Sequence, residues 1–321
     1  MARYVIYGAG AVGGTIGGRL FQHGHDVVLI ARGEHGRVIE RDGLRLVSAD
    51  DDVTLTVPCV QRPDELLFTD HDIVILAMKS QDTSAALHAL TPLAGPTTPV
   101  VCAQNGVENE RVALRLFDRV YGMCVFLPAT HVEPGIVAVA SSPVSGVLDL
   151  GRFPEGSDAV AEQMASDLEG SQLRSEVLPQ IMRRKYNKLL RNLANAVDAA
   201  AGGLAARSEL VHRATAEALA CFAAAGIDVA TDDEDAERRA HLTMRPVAGW
   251  DTRHSSSWQS LARGTRRIEA DYLNGEIVLL GRLHGVPTPV NARLQAVANR
   301  LAYEGAAPGS IRLDDLETVL G

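Results

Sequence analysis

The chain has 321 residues, more than one ordinary hydrophobic core accommodates, so about two domains are expected. Hydrophobic residues make up 46% and charged residues 22%, the balance of a globular protein, and a net charge of −9 excludes a general nucleic-acid or anionic-membrane binder. An anionic small ligand is not excluded, because a few Arg or Lys side chains dominate a local pocket.

No apolar run approaches the roughly 18 residues of a membrane span. The first residues enter strand-like sequence with no signal-peptide pattern, so a cytoplasmic location is expected. Cys59, Cys102, Cys124 and Cys221 lie far apart without a CxxC pair. They read as small buried hydrophobes in a reducing compartment, with no metal site.

In chain order, "RYVIYG" predicts a strand, Gly13 to His23 a helix ended by Gly24, and "DVVLIAR" a second strand. "HDIVILAMKS" and "PVVCAQNG" are continuous apolar runs, the mark of parallel strands covered on both faces. This βαβ rhythm predicts an α/β N-terminal domain with a Rossmann-type doubly wound parallel sheet. "RVYGMCVFLPA", "GIVAVAS" and "SGVLDLG" are expected to extend the same sheet. After Pro179 the texture turns helical. "RRKYNKLLRNLANAVDAAAGG" predicts a helix reaching Gly202, and "SELVHRATAEALACFAAAG" one running from an N-cap at Ser208 to Gly226. Ile268, Tyr272, Leu279 and Leu283 recur at helical spacing in a longer helix ending near Gly285. The expected organisation is residues 1–178 as a dinucleotide-binding domain and 179–321 as an all-α C-terminal domain.

"GAGAVG", Gly8 to Gly13, follows a predicted strand and opens a predicted helix, the context a dinucleotide fingerprint requires. Gly8 permits the tight turn, Gly10 lets the backbone approach a pyrophosphate, and Gly13 lets helix and strand pack closely. Ala9, Ala11 and Val12 complete the loop, and the helix N-terminus favours negative charge. A glycine-rich turn with no ligand is the alternative. An NAD site places an acid about 20 residues on, but here the second strand is followed by Ala31 and Arg32, with no acid before Glu34. Arg32 suits a 2′-phosphate, which points to NADP(H).

With "GAGAVG", "AMKSQDT", "AQNG", "YNKLLRN" and "RRIEADYLNG" in that order, the chain resembles the ketopantoate reductase (2-dehydropantoate 2-reductase) family over nearly its whole length. The resemblance implies NADPH in a cleft between a Rossmann domain and a helical domain, reducing a small-molecule 2-oxo acid to a 2-hydroxy acid, most simply ketopantoate to pantoate. A homodimer is implied by the same likeness, and neither nucleic acid nor membrane is an expected partner. Lys79 and Asn105 then line the cofactor and substrate cleft. Lys188 is implied as the catalytic proton donor, with Glu269 orienting the substrate hydroxyl and Asn192 holding the substrate.

Lys188 and Asn192 lie four apart, about 40° round a helix. Arg184, Lys185 and Asn195 project within about 60° of Lys188, so only the resemblance selects Lys188 over Lys185. A second Asn, usual eight residues after that lysine, is replaced by Ala196; Asn195 is the nearest amide. The serine expected to meet the substrate carboxylate is Ser256 or Ser257, depending on which residue anchors the match. Asp271 and Asn274 read as packing or capping residues, and Trp258 as packing. A related dehydrogenase with another substrate, or an NADP-sensing protein without turnover, is the competing reading.

Overall fold

The apolar runs near the N-terminus bury both faces, and strands with both faces buried line up in parallel under helical cover. The computed structural model describes residues 2–203, 208–250 and 254–320. Its strands are β1 (Arg3–Tyr7), β2 (Asp26–Ile30), β3 (Leu44–Val47), β4 (Asp52–Leu55), β5 (Cys59–Val60), β6 (Asp72–Leu76), β7 (Val100–Cys102), β8 (Val120–Phe126), β9 (Ala129–Glu133), β10 (Ile136–Val139) and β11 (Val147–Arg152). The helices are α1 (Ala11–Gln22), α2 (Gly33–Asp42), α3 (Thr83–Leu90), α4 (Asn109–Leu114), α5 (Ala159–Glu169), α6 (Ile181–Asn192), α7 (Ala194–Ala201), α8 (Glu209–Ala225), α9 (Asp232–Arg239), α10 (Ser256–Ala262), α11 (Asn274–His284), α12 (Pro289–Glu304) and α13 (Leu313–Leu320). No described helix is long and apolar enough to cross a membrane.

The main sheet is seven-stranded, ordered β11–β8–β7–β6–β1–β2–β5. Every neighbouring pair is parallel except β8 with β11. Alternate residues feed two cores: Tyr4, Ile6, Leu29, Ile75 and Val101 on one face, Val5, Val28, Ile30, Val74 and Val100 on the other. The order reverses at β1, which lies between β2 and β6; such a switch point is where open α/β sheets bind ligands.

One expectation about these strands and one about a helix need correction. "GIVAVAS" does not extend the main sheet. It forms β10, in a separate four-stranded sheet ordered β4–β3–β10–β9. The cause is burial: Val137 and Val139, with Leu44 and Leu46 of β3, share a core with Ile16 and Leu20 of α1, so this small sheet covers that helix. The second correction concerns the predicted helix through Ile268 and Tyr272. Those residues precede α11, on a loop and a 3₁₀ turn (Ala270–Tyr272). Within α11, Leu279 and Leu283 are exposed, and Ile277, Val278 and Leu280 face the core instead.

Contacts divide the chain into two units. The first comprises Met1–Gln104, Asn109–Lys185 and Asp232–Thr252; the second comprises Asn105–Glu108, Tyr186–Thr231 and Arg253–Gly321. This differs from a single cut after residue 178, chiefly because Asp232–Thr252 returns to the sheet-bearing unit. Arg238 on α9 donates to both oxygens of buried Asp149 at 2.9 and 2.6 Å and to Glu176 at 2.6 Å. The backbone at Thr243 and Arg245 bonds that of Ser142 and Ala140. Charged pairing of this sort leaves no hydrophobic periodicity to read.

In the second unit, α8 begins directly after Ser208 and stops at Gly226, which adopts the left-handed conformation at φ 65°. The helix predicted to reach Gly202 is interrupted instead. At Leu193 the backbone N–H is shared between the carbonyls of Leu189 and Leu190, ending α6 before α7 begins. Asn274 donates to Asn291 Oδ1 at 3.0 Å, and Asp271 accepts from Gln295 and Asn299 at 2.7 Å each. Asn274 is buried and packs as its position suggests, whereas Asp271 is exposed and ties the 3₁₀ turn to α12 at the surface.

Candidate active site

The loop between β1 and α1 has the geometry its glycines predict. Gly8 sits at φ 101°, and a Cβ there would lie 2.7 Å from the backbone nitrogen of Met78. A Cβ on Gly13 would fall 2.1 Å from the Gly8 carbonyl oxygen and 2.9 Å from Ile6 and Ala77 side-chain carbons, so helix and strand meet at a distance only glycine allows. At Gly10 an added Cβ meets nothing within 4 Å. That open backbone at a helix N-terminus, with no acid in the first turn of α1, suits a pyrophosphate. Ala9 is buried, while Ala11 opens the helix and Val12 packs partly against the core.

Arg32 follows β2, its side chain 78% exposed and its guanidinium 2.9 Å from the Asp82 carboxylate. Glu34, the first acid after the strand, pairs with Arg37 at 2.8 Å. Lys79 lies three residues beyond β6 and precedes the 3₁₀ turn Ser80–Asp82.

Asn105 lies three residues beyond β7, and its Oδ1 accepts a hydrogen bond from Lys188 Nζ at 2.5 Å. Lys185, one turn earlier on α6, has a different fate. It is 3% exposed, its ammonium bonds the carboxylate of Glu110, and it donates to the carbonyl oxygens of Gln104 at 3.1 Å and Cys102 at 3.3 Å. Geometry therefore separates two lysines that helical spacing could not. One is enclosed in an ion pair, while the other is half-buried against an amide.

Asn192 stands four residues after Lys188, and its Oδ1 is buried with no hydrogen-bond partner among the described residues. An amide oxygen in that state is unusual and has acceptor capacity to spare. Asn195 is half-buried and Ala196 buried, both in α7, so a helical angle carried across Leu193 no longer relates them to Lys188. Ser255 caps α10 by accepting from the Trp258 N–H at 3.2 Å, and its own N–H donates to Asp198 at 2.9 Å. Ser257 is buried and Ser256 half-buried. Trp258 stacks on His254 with ring centroids 3.8 Å apart. Glu269, 4% exposed, lies on the loop before the 3₁₀ turn.

Several buried polar residues gave no sequence signal of their own. Gln104 donates to Thr83 Oγ1 at 2.7 Å, Thr83 to Asn109 Oδ1 at 2.7 Å, and Asn109 to Ser80 Oγ at 3.1 Å. This network ties the "KSQDT" and "QNG" segments together, and Glu110 continues it toward Lys185. Adjacency to those motifs was the only available clue. Burial pushes the Cys102 thiol well above its ordinary range, and the four cysteines are free.

Comparison with known proteins follows this geometry. The family model for ketopantoate reductase PanE/ApbA matches residues 4–155, and that for its C-terminal region matches residues 180–302. A 2-dehydropantoate 2-reductase of Pyrococcus horikoshii is 27% identical over 95% of this chain and 98% of its own. One of Halobacterium salinarum is 29% identical over 90% and 95% respectively. A PanE/ApbA family ketopantoate reductase from Ralstonia eutropha superposes with TM-score 0.79 at 30% identity, covering 94% of this chain and 99% of that one. A D-mandelate dehydrogenase superposes with TM-score 0.80 at 24% identity, with the same coverages, and shares the fold. The two family models between them span most of the sequence, and the chain belongs to the ketopantoate reductase PanE/ApbA family, a family of oxidoreductases.

Proposed function

We propose that the protein reduces a 2-oxo acid to the 2-hydroxy acid with NADPH, and that 2-dehydropantoate, giving pantoate, is the substrate. The observation that carries this reading is the ammonium of Lys188 held on the Asn105 amide, one turn from the Asn192 amide oxygen, which has no hydrogen-bond partner among the described residues. The names of the relatives support it. When bound along the glycine loop, NADPH supplies the hydride to C2 of the acid. Lys188 Nζ gives a proton to the carbonyl oxygen, so the C=O π bond is replaced by a C–H and an O–H bond. The products are the 2-hydroxy acid and NADP⁺, and the lysine recovers its proton from solvent. Asn105 orients the ammonium, and a positioned acid of this kind contributes about 10²–10⁴-fold.

Asn192, with Asn195, accepts and donates hydrogen bonds to the substrate, and Glu269 accepts from the new hydroxyl. Ser256, more accessible than Ser257, meets the substrate carboxylate. Gly8 through Gly13 and Lys79 hold the dinucleotide phosphates, and Arg32 exchanges Asp82 for the 2′-phosphate. Glu34 is engaged with Arg37, which supports NADP over NAD. The reaction belongs to the cytoplasm, where free thiols persist; assembly as a homodimer rests on family likeness alone.

A second reading keeps the chemistry and changes the acid. Ala196 in place of the family's amide favours it. NADPH consumption with 2-dehydropantoate beside a panel of branched and aromatic 2-oxo acids tests both. Preference for 2-dehydropantoate supports the first reading, preference for another acid the second, and no turnover with any contradicts both.

A further inference from the structure

The glycine loop is held by a histidine the mechanism does not use. His35 on α2 places Nε2 2.7 Å from the carbonyl oxygen of Ala9 and Nδ1 2.9 Å from the backbone nitrogen of Gly135. A carbonyl only accepts and a backbone N–H only donates. One species alone satisfies both: the neutral imidazole with its proton on Nε2. Ala9 lies between Gly8 and Gly10, and in a planar trans peptide its C=O points opposite to the Gly10 N–H. Anchoring the Ala9 oxygen therefore fixes the direction of the Gly10 N–H, at the loop glycine where an added Cβ meets nothing within 4 Å.

We propose that neutral His35 is a positioning residue for dinucleotide binding, locking the glycine loop to the β9–β10 turn, and that protonation of His35 releases the loop and weakens binding. This rests on the reading that the glycine loop is the dinucleotide site. A second proton makes Nδ1 a donor facing the Gly135 N–H, so that hydrogen bond is lost. It also adds charge beside His131 of β9, whose ring centroid is 4.1 Å away. Of the charged groups on the surrounding elements, Glu34 pairs with Arg37 and Arg41 with Asp42 on α2, Arg45 of β3 pairs with Asp52, and Glu133 ends β9 exposed to solvent. Burial disfavours the charged ring and lowers its pKa below the ordinary value, outweighing the Ala9 hydrogen bond.

NADH binding followed by calorimetry between about pH 8 and pH 5 tests this, because NADH lacks the 2′-phosphate that itself titrates near pH 6. The unaltered chain is expected to lose affinity about three- to tenfold on the acid side, the effect of one hydrogen bond. H35Q, which keeps an amide donor and acceptor but cannot titrate, is expected to bind evenly across the range. Nitrogen NMR of the His35 ring in the unaltered chain gives a reading independent of that variant's folding. It should show the Nε2–H tautomer at neutral pH, and a titration that coincides with the affinity loss. An equal acid loss in H35Q, no acid loss in the unaltered chain, or an Nδ1–H tautomer overturns the proposal alone. Failure of the unaltered chain to bind NADH or NADPH overturns the glycine-loop reading, and this proposal with it.

Discussion

Lys188 donates its hydrogen bond to the side-chain oxygen of Asn105, a residue 83 positions earlier in the chain. The contact joins the "QNG" turn to the "YNKLLRN" helix, two motifs that the sequence shows only as separate segments. It also gives the ammonium a fixed direction. Replacing Asn105 with Ala should therefore lower kcat about tenfold or more while the chain stays folded, because a positioned donor loses its orientation. Steady-state kinetics with circular dichroism check this; an unchanged kcat removes Asn105 from the orienting role.

Lys185 and Glu110 form a buried ion pair. Removing one partner leaves an uncompensated charge, which typically costs about 3–5 kcal/mol, whereas replacing both with apolar residues costs far less. Urea unfolding of Lys185→Met, Glu110→Met and the double variant should show the double variant more stable than either single one. Additive losses would contradict the pairing.

Arg32→Ala should weaken NADPH about tenfold or more, the loss of a charge-assisted hydrogen bond, with little effect on NADH. Its partner gives a complementary test. Asp82→Asn should tighten NADPH modestly, since Asp82 competes with the 2′-phosphate for the same guanidinium. Calorimetry with both dinucleotides reads each effect, and equal losses for NADPH and NADH in the arginine variant would reject the phosphate assignment.

His35 also predicts a pH dependence of stability. Its native pKa lies below the ordinary 6.5, so the unfolded chain takes up the proton first as pH falls. Above pH 6.5 the ring is neutral in both states and contributes no difference. Below it, stability falls until the native ring titrates, by up to about 1.4 kcal/mol for each unit of depression. Urea unfolding at about pH 8 and pH 5.5 should show a larger acid loss in the unaltered chain than in H35Q; parallel losses would contradict the assignment.

The parallel core was legible because β1, β2, β6 and β7 are apolar on both faces and bounded by glycine or polar turns. The glycine loop was legible for a different reason: Gly8 and Gly13 are required by a positive φ and a close approach. What escaped was decided by tertiary contacts. β10 looks like any apolar strand until Val137 and Val139 cover α1. Ile268 and Tyr272 fit a helical period that the backbone does not follow before Asn274. Residues 232–250 join the sheet-bearing unit through Arg238 and the backbone at Thr243 and Arg245, which no apolar pattern announces. Lys185 and Lys188 lie within about 60° of each other on a helical wheel and become clearly distinct only where Glu110 and Asn105 meet them.

The account stands most directly on the turnover of Lys188→Ala with the preferred 2-oxo acid, measured beside its affinity for NADPH. A fall in kcat of at least about a hundredfold, with NADPH binding nearly unchanged, is the expected result. Turnover equal to that of the unaltered chain would show that the proton comes from elsewhere.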